Sequence, residues 1–321
     1  MKTIYVFSFL VSIFFAVFTP SALFSQSAQP PRSSKYGFSM ATQAGFLYGQ
    51  GEEIVYKHSG SDDYLSLLSW DVKPLFYAGF ILRYSPVNPL KNHGFFTELS
   101  VKFGIPAESG RMENRDWVDS GYLTHFSSHE NHTKGAVLPD FSAGFSFPVA
   151  NRLVFSVYKT FSYMYFSWTS YNGYLEYADS DWERHYFHGP AISYLQHWMI
   201  LSAGIGVAYP FHTLFAARLD FRFSPLVFCI AQDQHFSRSL EFNDYPRGGI
   251  FLEPKLALTF SPLSKLDLVL SAGYRYISGA RGDTHTRKTG IADSNISSKS
   301  FNSAGAGFGA LSIGLAVTMR L

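Results

Sequence analysis

The sequence has a single cysteine, Cys229, among 321 residues, and charged residues make up only 16% of the chain. One cysteine cannot form a disulfide within the chain, so a disulfide-supported fold is excluded. The 26 basic and 24 acidic residues give a formal net charge of +2, which argues against a nucleic-acid partner. After the N-terminal segment, no apolar run is long enough for a helical membrane span.

The N-terminal segment has the pattern of an export signal. An apolar run over residues 4–18 follows Lys2, and small residues follow that run. We expect a signal peptide over residues 1–25, which leaves residues 26–321 as one domain. A single membrane anchor fits less well, because the run is short for a bilayer span. No cysteine lies near the expected cut, so a lipid-anchored lipoprotein is excluded.

Aromatic residues are abundant in the chain. They make up 18% of it, with 32 Phe and 20 Tyr, beside 26 Gly and a mean hydropathy of 0.00. In a transmembrane β-barrel, each strand needs apolar and aromatic residues facing lipid and small or polar residues facing the lumen. The composition therefore favours a barrel over a soluble domain.

Apolar and polar residues alternate along several segments, as in β-strands. Towards the C-terminus the odd positions are largely apolar, namely Phe301, Leu311, Ile313, Leu315, Val317, Met319 and Leu321. The even positions include small or polar residues, namely Asn302, Ala304, Ser312, Gly314, Thr318 and Arg320, which gives a period of two. Alternation alone also fits a soluble sandwich. Export, aromatic content, strand length and the apolar C-terminal strand together favour the barrel.

Turn signals divide the chain into ten predicted strands, at residues 36–57, 64–84, 93–105, 132–148, 152–178, 188–210, 213–237, 247–262, 266–282 and 301–321. Tight turns alternate with longer polar segments at residues 58–63, 106–131, 179–187, 238–246 and 283–300. Outer-membrane barrels show this asymmetry, with short periplasmic turns and long loops outside. The sequence therefore predicts an all-β fold, a ten-stranded antiparallel transmembrane β-barrel with long extracellular loops.

The most informative polar feature is Asp233, two residues before His235 on a predicted strand. This spacing puts both side chains on one face, where the carboxylate can orient the imidazole and raise its basicity. A second carboxylate across a cleft, from the acidic segment 111–119, would complete a site that activates water against a peptide bond. Asp283 and His285 have the same spacing, so the pattern alone is not specific.

With these residues in place, the chain resembles the omptins, ten-stranded outer-membrane endoproteases with an extracellular active-site cleft. The resemblance is carried by Glu53-Ile54-Val55-Tyr56, Ser66-Leu67-Leu68-Ser69-Trp70, Met112 to Ser120, Asn151-Arg152-Leu153 and Asp233-Gln234-His235. It implies a location in the cell outer membrane with the active-site loops facing outside. Peptide or protein substrates at the cell surface, contact with outer-membrane lipids and a monomeric state are also implied, with no cofactor or metal.

The resemblance also implies roles for individual residues. His235 is the expected general base, Asp233 its orienting carboxylate and Asp116 a partner across the cleft, with direct attack by water and no acyl-enzyme intermediate. A histidine base of this kind predicts that activity falls on the acid side, with a midpoint near or above about 6.5.

Two positions depart from the family pattern. The family has a pair of aspartates where this chain has Asn114 and Asp116. Asn114 cannot store or transfer a proton, but its amide can donate a hydrogen bond to a developing oxyanion. Glu53 matches the acidic residue at the base of the pocket that receives an arginine or lysine side chain, but its acidic companion is replaced by Ala231. The preference for a basic residue before the cut is therefore expected to be weaker or shifted.

Other functions stay open at this point. One alternative is a barrel with the same fold that has lost its catalytic activity and acts as an adhesin. A passive pore is disfavoured, because a ten-stranded lumen is narrow and filled by side chains. The histidines within residues 125–132 have spacings that could ligate a transition metal, but a solvated loop is the favoured interpretation.

Two predictions concern where side chains point. Trp70, Trp168 and Trp198 lie near strand ends and are expected at the membrane interface. The parity of the strand from residue 213 would send Asp233 and His235 outward, so a bulge near Pro225 is needed to aim them inward.

Overall fold

The structure is a computed structural model that describes residues 37–90, 92–118, 121–150, 152–289 and 297–321. The predicted signal peptide lies outside these residues. The described chain forms antiparallel strands β1 (Phe38–Tyr56), β2 (Tyr64–Tyr84), β3 (Gly94–Gly104), β4 (Ala107–Asp116), β5 (His125–Ala150), β6 (Leu153–Tyr177), β7 (His185–Tyr209), β8 (Phe215–Ser224), β9 (Val227–His235), β10 (Leu240–Gly248), β11 (Phe251–Leu263), β12 (Leu266–Lys288) and β13 (Ser297–Arg320). A short 3₁₀ turn, Ala178–Ser180, lies between β6 and β7.

The strands close into a barrel, because β1 pairs with both β2 and β13. β3 and β4 both pair with β2 and β5, so they are two halves of one interrupted strand. The pairs β8/β9 and β10/β11 are likewise interrupted strands, which lie between β7 and β12. The described residues thus occupy ten strand positions, and the predicted ten-stranded antiparallel barrel is confirmed.

The strands are longer than predicted at the extracellular end. Most of the described residues in the predicted loops 106–131, 238–246 and 283–300 belong to strands: β4 and the start of β5, β10, the end of β12 and the start of β13. The prediction of loops in these segments was wrong, because the outward side chains there are polar. The backbone ladder continues where the apolar alternation that marks lipid-facing strands has stopped.

The outward side chains mark the membrane-spanning part of the barrel. Exposed apolar side chains cover its lower outer surface, among them Phe76, Phe141, Phe145, Phe161, Leu201 and Leu315. On β1 the outward residues become polar after Tyr48, starting at Gln50, and on β9 they become polar after Ile230, starting at Gln232. The ends of these strands therefore rise above the lipid.

β10 lies above the lipid over its whole length. Its outward side chains include Glu241, Asn243 and Arg247, which are polar or charged. The described residues contain no helix that is both long and apolar enough to cross a membrane.

Buried charges fill the lower lumen. Arg275 of β12 donates to Asp140 of β5 at 2.9 Å and to Glu253 of β11 at 3.1 Å. Arg222 of β8 pairs with the same two carboxylates. Four strands from different sides of the barrel are thus tied together by one network of charge-assisted hydrogen bonds.

An aromatic layer lies above this network. Trp70, Trp168, Trp198, Tyr194 and Phe166 are fully buried. Trp70 stacks on Tyr194 with 5.3 Å between ring centroids, and Phe166 stacks on Trp168 at 5.1 Å. The predicted interfacial position of the three tryptophans was wrong, because their strand parity points them into the lumen. They form a floor beneath the upper part of the barrel.

Between β8 and β9, the residues that point into the barrel change from even-numbered to odd-numbered positions. In β8 the even positions Arg222 and Ser224 are buried, whereas in β9 the odd positions Cys229 and Asp233 are buried. Between the two strands, the Ser224 hydroxyl donates to the carbonyl of Leu226 at 2.7 Å and accepts from its amide at 3.3 Å. This break is the irregularity that the sequence predicted near Pro225, and it aims the end of β9 inward.

Candidate active site

Asp233 and His235 form a hydrogen-bonded pair at the upper end of β9. His235 Nε2 lies 2.7 Å from Asp233 Oδ2. The Asp233 side chain is 2% exposed and that of His235 is 16% exposed, so the carboxylate is enclosed and the imidazole reaches the cleft. With Nε2 facing the carboxylate, Nδ1 is left to contact a water or a substrate.

The second Asp-x-His sequence does not form such a pair. Asp283 and His285 are on the outward face of β12. The Asp283 carboxylate instead pairs with Lys299 at 3.0 Å and accepts from the Asn302 amide at 3.0 Å. The same sequence pattern therefore occurs twice, and only Asp233 and His235 form a hydrogen-bonded pair inside the barrel.

Asn114 and Asp116 form a second pair on the inward face of β4. Asn114 Nδ2 donates to Asp116 Oδ2 at 3.2 Å, and Ser66 of β2 donates to Asn114 Oδ1 at 2.9 Å. The serine fixes the amide so that its nitrogen faces the carboxylate. An amide nitrogen has two N–H groups, so the second one is free to serve a ligand.

The two pairs act on each other electrostatically across the barrel. Burial lowers the pKa of His235 below its ordinary value, and the Arg238 cation lowers it further. The negative charges of Glu53 and Asp116 act in the opposite direction. Because the lowering effects win, the predicted midpoint near or above the ordinary value is not supported, and His235 is neutral down to lower pH.

Glu53 lies beside Asp233 and is only 3% exposed. Burial raises the pKa of Glu53 well above its ordinary value, and the negative charges of Asp233 and Asp244 raise it further. Burial also raises the pKa of Asp233. Two neighbouring buried carboxyl groups are hard to ionise at the same time, because each negative charge disfavours the other.

Two further residues lie at the site that the sequence did not assign to it. Asp244 of β10 is paired in register with Ala231, and Thr284 of β12 faces it from the other side. His125 of β5 is paired with Asp116, and its Nδ1 lies 2.8 Å from the Thr124 hydroxyl. Only the strand register brings them here, because Asp244 and His125 lie in segments that were predicted to be loops.

The histidines of residues 125–132 lie on β5 rather than in a solvated loop, so that prediction was wrong. His129 is buried and hydrogen-bonds to the carbonyl of Asn172. Within the described ranges, no three His, Cys, Asp or Glu side chains are grouped to hold a metal ion.

The fold is that of an outer-membrane β-barrel, and the two facing pairs lie at the end of it that rises above the lipid. The Omptin family model matches residues 34–319, so the chain belongs to the Omptin family of outer-membrane proteases and is located in the outer membrane. A search of curated proteins found no match.

Solved structures with a similar fold include the outer membrane protease OmpT from Escherichia coli. It has 15% identity and a TM-score of 0.79, over 90% of this chain and 99% of that chain. The transport unit of the autotransporter AIDA-I from Escherichia coli has 10% identity and a TM-score of 0.39, over 95% of this chain and 94% of that chain. The translocator domain of NalP from Neisseria meningitidis has 10% identity and a TM-score of 0.37, over 89% and 88%.

Proposed function

We propose that this barrel is an endopeptidase that hydrolyses peptide bonds in its extracellular cleft with a water activated by His235 and Asp233. The observation that carries the proposal is the 2.7 Å pair of His235 and Asp233, aimed inward above the lipid by the break before β9. The Asn114–Asp116 pair faces it from β4. A base and a second carboxylate on opposite walls can hold one water between them.

The reaction follows from the atoms that face the cleft. His235 Nδ1 accepts a proton from a water that also donates to Asp116, while the water oxygen bonds to the scissile carbonyl carbon. The second N–H of Asn114 donates to the developing oxyanion. The imidazolium, held by Asp233, then gives its proton to the leaving nitrogen as the carbon–nitrogen bond breaks. The products are a carboxylate and an amine.

The proposed substrates are peptides or proteins at the cell surface, cut near a basic residue that Glu53 helps to bind. The barrel is proposed to act as a monomer. The exposed apolar outer surface supports contact with outer-membrane lipids.

The alternative is a barrel of this family that has lost its activity and acts as an adhesin. Asn114 favours this alternative, because an amide cannot pass a proton as a carboxyl group can. The position of the amide nitrogen against Asp116 favours the enzyme, since this contact preserves one hydrogen bond of a carboxyl pair.

The two functions are separated by incubating the refolded, purified barrel with a peptide mixture and analysing it by mass spectrometry. An endopeptidase gives new internal termini, and Asp233→Asn suppresses them, whereas Asp283→Asn in the outward Asp-x-His sequence does not. Intact peptides after long incubation with barrel that migrates as folded would rule out the endopeptidase and favour the adhesin.

A further inference from the structure

A cavity of about 260 Å³ lies in the lower lumen, beneath the aromatic floor. Arg222 and Glu253 of the charge network line its upper part. Ser39 and Thr318 line its lower part, close to the lower ends of β1 and β13. The volume is enough for several water molecules or for a small oxyanion with part of its hydration shell. Because the floor separates this cavity from His235, a ligand bound here does not occupy the proposed catalytic cleft.

The arginines that line the cavity all have carboxylate partners. Arg83 donates to Glu98 at 2.8 Å, and Arg218 donates to Asp220 through two nitrogens, each at 2.7 Å. The two arginines of the charge network share two carboxylates, as described above. These pairs balance one another, so they leave no negative charge for a further cation.

Two lysines, Lys102 and Lys255, also line the cavity. Neither forms an ion pair with a carboxylate in the described part of the chain. The Lys102 ammonium lies 4.9 Å from the centroid of the buried Tyr77 ring, and the Lys255 side chain is exposed to the lumen. Two unpaired ammonium groups in a narrow lumen repel each other, and an anion between them replaces that repulsion with attraction.

The two lysines extend from opposite walls of the barrel. Lys102 is on β3 and Lys255 is on β11, and four strand positions separate these strands in either direction around the ring. Among the charged groups that act on Lys102, Lys255 has the largest effect. The two ammonium groups are therefore near enough to act on one ligand.

Ser100 adds a hydroxyl donor beside Lys102. Both residues line the cavity, and their spacing of two on β3 puts their side chains on one face. The Ser100 oxygen accepts from Gln43 Nε2 at 3.1 Å, so its own O–H can donate to another group. Two ammonium groups and a hydroxyl are donors that suit an oxyanion with more than one negative charge.

We propose that the lower lumen binds one small, doubly charged oxyanion between Lys102 and Lys255, with Ser100 as a further donor. The anion supplies the negative charge that the carboxylates of the lower lumen do not provide. It binds only when β3 and β11 face each other in the closed barrel, so it stabilises the folded state. This site is independent of the proposed peptide hydrolysis.

Calorimetric titration of the refolded barrel with inorganic phosphate tests the proposal, at constant ionic strength in chloride and at a pH where phosphate carries two charges. We expect saturable binding at one site in the parent. Lys102→Gln and Lys255→Gln should each weaken it by about 10- to 100-fold, because each removes a charge-assisted hydrogen bond. Lys265→Gln is the matched control, since it removes the same charge from the exposed turn between β11 and β12 and should leave the affinity unchanged.

Two further variants keep the test decisive. Lys255→Arg retains the positive charge and is expected to retain most of the affinity. If Lys102→Gln does not form a barrel, Lys255→Gln serves alone, because the Lys255 side chain is exposed and its replacement leaves no buried gap. Parent protein without saturable phosphate binding, or Lys255→Gln that binds phosphate as the parent does, overturns the site. An equal loss in Lys265→Gln also overturns it, because the effect is then one of net charge.

Discussion

At the scale of single residues, Asn114 donates a hydrogen bond to Asp116 in the way that a protonated carboxyl group would. Two close carboxyl groups hold one proton between them, so one is a donor and the other an acceptor. Asn114 is a permanent donor to Asp116, and Ser66 keeps the amide in this orientation. The hydrogen bond is kept and the transferable proton is lost. We therefore expect the residue at position 114 to limit the rate of hydrolysis.

Asn114→Asp is expected to increase the rate of peptide hydrolysis, because it restores a proton that can be passed during the reaction. General acid–base assistance of this kind is worth about 10²–10⁴-fold. The measurement is kcat on one peptide for the parent, Asn114→Asp and Asp116→Asn. An Asn114→Asp rate at or below that of the parent would show that the amide already does all that this position requires.

The environment of His235 makes a prediction about pH. Burial of the ring has the largest effect on its pKa, and the charges of Glu53, Arg238 and Asp116 also act on it. Since burial and Arg238 lower the pKa, the neutral base persists below the ordinary histidine value. Activity is therefore expected to rise with pH through a midpoint below about 6.5 and then to level off.

The pH profile of kcat/KM checks this prediction in the free enzyme. In Arg238→Gln the midpoint should move upward, because a positive charge that lowers the pKa has been removed. A parent midpoint above 6.5 would mean that the carboxylates outweigh burial around His235.

At the scale of elements, the break between β8 and β9 determines whether the site exists. A shift of one residue turns every side chain of a strand to the other face. Ser224 holds the break through two hydrogen bonds to Leu226. Ser224→Ala is expected to lower the free energy of unfolding by about 1–2 kcal/mol and to reduce kcat, because Asp233 is then less well fixed.

Urea titration and peptide cleavage of Ser224→Ala check this prediction, with Ser237→Ala in the exposed turn after β9 as the control. Equal stability and equal kcat in Ser224→Ala and the parent would show that Pro225 alone sets the break.

The sequence predicted the membrane-spanning strands well, because lipid on one side and a filled lumen on the other impose a period of two. It did not predict β4 and β10 as strands, since their outward residues face water and carry charge. Asp244 therefore went unnoticed until the register placed it opposite Ala231. The inward tryptophans were missed for a related reason: alternation gives two faces but does not say which one is the lumen.

At the scale of the whole molecule, the interior is layered, with the site above an aromatic floor and the charge network below. Arg275 shares Asp140 and Glu253 with Arg222, so its removal leaves buried negative charge uncompensated. Arg275→Met is therefore expected to lower the free energy of unfolding by about 3–5 kcal/mol.

Urea unfolding in detergent measures this loss. The folded fraction at each urea concentration is read from gel migration, because a folded barrel migrates differently before and after heating. Arg184→Met is the control, because Arg184 pairs with Glu176 at 2.8 Å on the exposed surface and its loss should matter little. If the two variants unfold at the same urea concentration, the buried network contributes no more to the stability of the barrel than a surface ion pair does.

The central claim is that His235 activates water for peptide hydrolysis in the cleft. Its most direct test is the cleavage rate of one peptide by His235→Ala and by His285→Ala, the histidine of the outward Asp-x-His sequence. Our account predicts a loss of about 10²–10⁴-fold in His235→Ala, parental activity in His285→Ala, and unchanged barrel migration in both. Parental cleavage by a correctly folded His235→Ala barrel would contradict it.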